Sequence, residues 1–167
     1  FDIRDAWAKC AIPVALELHE SRRFDLIVST YGPRACHFIG QSIKSKYPDV
    51  TWLADYRDMW SIRHNTDLND RQKMHEQSIE RDVISQADIF TTVSKPLADE
   101  LSQFLQKQVY VVFNGFDVDF DATAKKKKKS AKFSENPLGK IKIVYTGMIY
   151  PGWRDPAPLF CAINNLT

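Results

Sequence analysis

Asp88-Ile89-Phe90-Thr91-Thr92-Val93, followed by Ser94-Lys95-Pro96-Leu97 and then by Leu101, Phe104 and Leu105, reads as one strand feeding one helix. The first six residues are β-branched and aromatic enough for a buried strand. Ser94 can cap the helix, and Pro96 suits a first helical turn, where its missing N–H leaves nothing unpaired. Leu97, Leu101, Phe104 and Leu105 then recur at the spacing of one helix face. Working outward, four more short apolar runs appear: Phe24 to Ser29, Thr51 to Ala54, Val109 to Phe113 and Ile141 to Tyr145. Helical spacing fills the gaps between them. Ala35, Phe38, Ile39 and Ile43 share a face after the first run, and Met74, Ile79, Val83 and Ile84 mark a longer helix before Asp88. Ahead of the first run, Trp7, Ala11, Val14, Ala15 and Leu18 form an apolar stripe, with Pro13 a kink or a helix start. Strict alternation of strand and helix predicts parallel strands joined by crossovers. The expected class is α/β: a Rossmann-like parallel sheet with flanking helices, plus the start of a second α/β domain.

Composition narrows the function classes. The chain has 167 residues, 44% of them hydrophobic, which is ample for a packed core and excludes wholesale disorder. Its formal charge of +2 comes from five consecutive lysines, Lys125 to Lys129; without them acidic side chains outnumber basic ones by three. A nucleic-acid partner needs a basic face spread over a fold, so none is expected. Three scattered cysteines, Cys10, Cys36 and Cys161, suggest neither a disulfide framework nor a zinc ribbon, and point to a reducing compartment. No apolar run approaches the ~20 residues that span a bilayer. The chain starts without Met and stops at Asn164-Asn165-Leu166-Thr167 inside a helix-like stretch, which gives the expectation of a piece of a longer protein. Polar, aperiodic residues 118–140 read as a linker or surface loop between a unit ending near residue 117 and one opening at 141.

In an open parallel sheet ligands bind outside the carboxyl ends of the strands, where loops converge and helix N-termini offer free amides. That rule converts the strand runs into candidate loops. Tyr31-Gly32-Pro33 leads into a helix and is either a phosphate-accommodating turn or an ordinary strand-to-helix turn. Asp55, Arg57 and Asp58 put two carboxylates around one guanidinium beside Trp60. Such a group holds sugar hydroxyls or a phosphate, unless it is an internally satisfied ion-pair network. Asn114-Gly115 redirects the chain after the fourth run. Gly147, after the last run, permits close approach of a ligand phosphate that Trp153 or Arg154 could stack on or pair with; the alternative is a tight turn with a solvated arginine.

Other features point nowhere in particular. Asp117-Val118-Asp119 has the spacing of a divalent-cation motif but sits beside the lysine run, and no metal site is expected. His19, His37, His64 and His75 lack ligand spacing, and Glu76 and Glu80, one turn apart, read as a solvated face near Lys73 and Arg81. The motifs of serine hydrolases, P-loop enzymes and simple dehydrogenases do not occur. The lysine run reads as a flexible linker, with contact to anionic lipid as the alternative.

Taken in order, Phe24 to Pro33, Trp52-Leu53-Ala54-Asp55-Tyr56-Arg57-Asp58-Met59-Trp60-Ser61, Ala87 to Ser94, Asn114-Gly115-Phe116-Asp117 and Tyr145-Thr146-Gly147-Met148-Ile149-Tyr150 resemble family 4 (group 1) glycosyltransferases of bacterial surface-polysaccharide synthesis. The resemblance implies a GT-B architecture, two Rossmann-like domains facing a cleft. Residues 1–117 would be the latter part of the acceptor-binding domain and 141–167 the start of the donor-binding domain. It implies transfer of a sugar, with retention, from a nucleotide-sugar donor to a saccharide or lipid-linked acceptor, with no cofactor or catalytic metal. The location implied is cytoplasmic, with peripheral contact at the inner face of the cell membrane. On that template Asp58, or Asp55, positions the acceptor hydroxyl or stabilises charge on the sugar. Tyr31, Gly32, Arg57 and Asn114 line the acceptor side, and Gly147 and Arg154 the donor diphosphate. The isolated chain is expected to be inactive. Two alternatives stand beside this: a non-catalytic α/β module docking a glycan or a membrane, and a sugar-nucleotide epimerase of the same architecture.

Overall fold

The computed structural model describes residues 3–62, 68–115, 144–145, 147–150 and 154–165. The chain divides into two compact units, Phe1–Phe116 and Asp117–Thr167. In the first, β1 (Leu26–Thr30), β2 (Thr51–Tyr56), β3 (Ile89–Thr92) and β4 (Tyr110–Val111) form one sheet in the order β1-β2-β3-β4, and every pairing is parallel. The helices α1 (Ile3–Arg22), α2 (Ala35–Lys46), α3 (Asp70–Ile84) and α4 (Lys95–Leu105) alternate with the strands. This is the Rossmann-like α/β layer that the alternation predicts. Thr30 pairs with Asp55, Asp55 with Thr91, Tyr56 with Thr92 and Thr92 with Val111, so the carboxyl ends of all four strands finish on one rim.

The central strand carries the core. Along β2 every second residue is buried, and Trp52, Ala54 and Tyr56 pack with Trp60, Val83, Ile84, Phe90 and Leu101. The strand runs two residues past the predicted end, because Asp55 O accepts from Tyr31 N and Tyr56 O accepts from Thr92 Oγ1. At the other extreme, the run Val109 to Phe113 yields only the two-residue β4 at the sheet edge, with Val112 and Phe113 exposed. The predicted strand Ile141 to Tyr145 and the linker 118–140 fall largely or wholly outside the described residues.

Two helix faces and one helix cap differ from the sequence pattern. On α1 the large members of the stripe, Trp7 at 52%, Val14 and Leu18, are exposed and Ala11 and Ala15 are half-buried, while Ala8 and His19 are buried. Polar ties fix this rotation: Asp5 pairs with Arg34 at 2.6 Å, and Glu20 accepts from Lys46 and from Tyr47 Oη, each at 2.6 Å. The two carboxylates lie about four turns apart and so share one side of the helix. Pro13 sits inside this helix without ending it. On α3, Met74 is 71% exposed, whereas Glu80 is wholly buried, so the inward stripe includes a carboxyl group in place of that methionine. Asn69 and Gln72 close this helix start reciprocally, each side chain accepting from the other's backbone N–H. On α4, Ser94 occupies the cap position without a side-chain hydrogen bond, and its carbonyl accepts from Ala98 N instead.

Close packing of α2 on β2 requires Gly40. A Cβ there would stand 2.5 Å from Trp52 Nε1, which donates to Ser29 Oγ at 2.8 Å. In the second unit, α5 (Ala157–Asn164) starts after Pro156, with Asp155 Oδ1 accepting from Ala157 N at 2.9 Å.

Candidate functional site

The level carboxyl ends of the strands put Tyr31-Gly32, Asp55 to Asp58 and Asn114 on a single rim. Four strands at ~4.8 Å spacing make it about 14 Å from the first loop to the last. Gly32 turns the chain out of β1 with φ +109°, and Pro33 and Arg34 then lead into α2. Tyr31 is tied to the neighbouring loop through its N–H to Asp55 O, at 2.8 Å, and its ring stacks on Trp60 and Tyr56 at centroid distances of 5.8 and 6.2 Å. Asn114 is exposed, two residues beyond Val112, whose N–H donates to Thr92 O.

The cluster Asp55, Arg57 and Asp58 is not an internally satisfied network. Asp55 is half-buried, and its Oδ1 accepts from Thr91 Oγ1 at 2.7 Å, which stitches the ends of β2 and β3. Arg57 and Asp58 are both exposed, and neither pairs with another charged side chain among the described residues. The loop therefore presents a guanidinium and a carboxylate outward, on a backbone held from below.

What holds it comes largely from α3, and the sequence reading misplaced these groups. Glu76 and Glu80 do not form a solvated face. Glu76 takes two hydrogen bonds from Arg34 Nη1, at 2.7 and 2.8 Å, and one from Trp60 Nε1 at 3.0 Å. Glu80 accepts from Ser61 N at 3.0 Å. They point inward because loop 57–62 crosses over α3 and brings its own donors to them. Arg34, gripped by Asp5 and Glu76 together, has its guanidinium held well above its ordinary value, chiefly by the hydrogen bond to Asp5, so it stays charged.

Beneath the rim lies a buried aromatic group that spacing alone did not single out. His37 on α2 is fully buried, with its ring centroid 5.1 Å from Tyr56 and 6.2 Å from Trp60. Its Nδ1 shares a 2.8 Å hydrogen bond with Ser29 Oγ. Burial pulls its pKa down to about 4, so the ring is neutral at physiological pH. The available signal was position: His37 falls between Ala35 and Phe38 on an inward-facing helix. Burial also lifts the Tyr56 hydroxyl above its usual range, with Glu80 adding to the effect.

Of the second unit's candidates, Gly147 faces the ring of Tyr145, whose hydroxyl donates to Met148 O at 3.2 Å. Arg154 lies 5.6 Å from the centroid of the Tyr150 ring, and its N–H donates to Tyr150 O. Within that unit both are engaged by a local turn. Trp153 and Asp117-Val118-Asp119 lie outside the described residues.

Elsewhere the described residues line two concavities of note. One of about 520 Å³ opens at the amino-terminal edge of the sheet, beside His19, Lys46 and Tyr47. The other, about 390 Å³, runs along β1 beside Ile39 and Gly40. The first lies away from the rim, and the second reaches it only at Thr30, without Tyr31, Gly32 or the Asp55 to Asp58 loop in its lining. The rim is the better candidate because charge without an ionic partner among the described residues meets the strand ends there, whereas in the larger concavity Lys46 and Tyr47 are already bonded to Glu20. No protein-family model matches the chain, and no curated protein matches it.

Proposed function

We propose that this protein is a glycosyltransferase of GT-B architecture. It would move a sugar, with retention, from a nucleotide donor to a saccharide or lipid-linked saccharide acceptor, with the carboxyl rim of the first unit as the acceptor surface. The observation that carries the reading is the outward pair Arg57 and Asp58, which have no charged partner among the described residues, on a loop anchored by Tyr31, Trp60 and Ser61. A carboxylate and a guanidinium on a fixed backbone suit an array of hydroxyls, since one accepts and the other only donates.

In this reading Asp58 accepts a hydrogen bond from the attacking hydroxyl and orients it toward the anomeric carbon, while Arg57 holds neighbouring hydroxyls or a phosphate oxygen. The new C–O bond forms as the bond to the diphosphate breaks, and the hydroxyl proton passes to the departing phosphate oxygen. The barrier falls mainly through orientation and through stabilisation of the departing charge. Asp55 has a supporting part, because one of its oxygens is committed to Thr91. The GT-B assignment and the donor roles of Gly147 and Arg154 rest on the resemblance of the loop sequences.

The test uses Asp58→Asn in the full-length protein, with release of nucleoside diphosphate and formation of glycosylated acceptor as readouts. Transfer should fall by about 10²-fold or more, with little change in melting temperature because Asp58 is exposed. Undiminished transfer would remove Asp58 from the reaction. Product formed from the nucleotide sugar without any acceptor would favour the epimerase.

A further inference from the structure

Glu80 is a buried acid outside every ion pair of the described residues. It is 0% exposed on α3. Oε2 accepts from Ser61 N at 3.0 Å. Oε1 is buried without a hydrogen bond of standard geometry, and so are Tyr56 Oη and Ser61 Oγ, the hydroxyls close enough to influence this carboxyl. Among the surrounding charges Arg81 eases the carboxylate, as the least of the effects acting on it. Arg81, next on the helix, is exposed, with its guanidinium 4.4 Å from the centroid of the Phe104 ring. Arg34 is committed to Asp5 and Glu76, and Glu76, one turn back, brings more negative charge. His37, against the Tyr56 ring, is neutral, and Tyr31 on its other side is uncharged. A bare carboxylate here is far more costly than a carboxylic acid, whose proton turns one acceptor into a donor facing a hydroxyl.

We propose that Glu80 is a positioning residue that works as a neutral carboxylic acid. Its Oε2 holds the Ser61 amide while the proton on Oε1 is donated to the Tyr56 or Ser61 hydroxyl, locking α3 to the end of β2 and fixing the loop that carries Arg57 and Asp58. Losing that proton leaves a buried charge that the Ser61 amide and the neighbouring hydroxyls offset only in part, and the loop loosens. The lock concerns loop geometry alone; only its consequence for sugar transfer rests on the function proposed above. Burial lifts this carboxyl above its ordinary 4.5, opposed by the nearby Ser61 hydroxyl and amide, by the Tyr56 hydroxyl and, least, by the Arg81 guanidinium. The folded chain therefore binds the proton more tightly than the unfolded chain does. The stabilisation is complete below about pH 4.5 and is lost as pH rises through the raised folded value.

The experiment is an NMR titration of the whole chain, following the Glu80 carboxyl carbon and the Ser61 amide. No sugar substrate enters it, so its failure and the failure of the transferase reading are separate results. Both signals should titrate together at a pH above 4.5. Exchange of the Trp60 and Ser61 amides should accelerate on deprotonation, by up to about tenfold for each unit by which the folded value exceeds the unfolded one. In Glu80→Gln, Ser61 should stay protected and show no inflection. A carboxyl carbon that titrates at or below 4.5 overturns the proposal, as does a Ser61 inflection that persists unchanged in Glu80→Gln. The wild-type titration decides the matter even if the variant does not fold.

Discussion

Gly32 sits at φ +109° with nothing within 4 Å of where a Cβ would stand. Gly32→Ala therefore tests the backbone alone. Strain should cost about 1 to 3 kcal/mol, read as a lowered denaturant midpoint with unchanged slope. No loss would mean that the turn relaxes freely and does not fix the rim. The neighbouring charged residues behave differently. Arg57 and Asp58 are exposed, so replacing either should act on ligand binding or transfer and leave the melting temperature nearly unchanged. Tyr31, Gly32, Asp58 and Asn114 were legible as rim residues because the strand-end rule needs only the order of strands along the chain. Glu80 and His37 were not legible. Their burial depends on which side of a helix faces the sheet, and a carboxyl or an imidazole inside an apolar stripe looks the same in sequence as one beside it.

At the scale of elements, α2 is held to β2 by the absence of a side chain at Gly40. Gly40→Ala should push the Trp52 indole off Ser29 Oγ and cost about 1 to 3 kcal/mol, measurable by thermal unfolding together with a shift in tryptophan emission. Helix α1 depends instead on charge. The large side chains of its apolar stripe, Trp7, Val14 and Leu18, are exposed, and Asp5 and Glu20 bind Arg34, Lys46 and Tyr47. Arg34→Met should release the first of these ties and leave Glu76 with only Trp60, so α1 amides should exchange faster while those of β2 and β3 stay protected. Equal protection throughout would show that packing, not the ion pairs, seats the helix. The strand and helix types followed from hydrophobic spacing, and β2, buried on alternate residues, was the most legible. The facing of α1 was not, because its polar ties join residues 26 to 29 positions apart in sequence. Periodicity within one helix cannot register such partners.

For the molecule as a whole, two buried groups set opposite limits on pH. The pKa of His37 is pulled from 6.5 to about 4, so its contribution is whole above about pH 6.5 and lost as pH falls toward 4. The loss amounts to about 3 kcal/mol. His37→Asn should flatten that acid limb in melts taken across this range. A limb of unchanged depth would mean that other groups carry the acid sensitivity. Glu80 acts on the alkaline side, and the advantage of Glu80→Gln over wild type should grow as pH climbs from about 4.5. The central claim is that the carboxyl rim of the first unit receives the acceptor of a sugar-transfer reaction. Its most direct test is amide chemical-shift mapping on the full-length protein, titrated with simple alkyl glycosides in the presence of uridine or guanosine diphosphate sugars. Shifts concentrated at Tyr31, Gly32, Arg57, Asp58 and Asn114, and weakened in Asp58→Asn, are the predicted result. Shifts gathered instead around Lys46, Tyr47 and Val50 at the opposite edge, or no shifts with any glycoside, would contradict it.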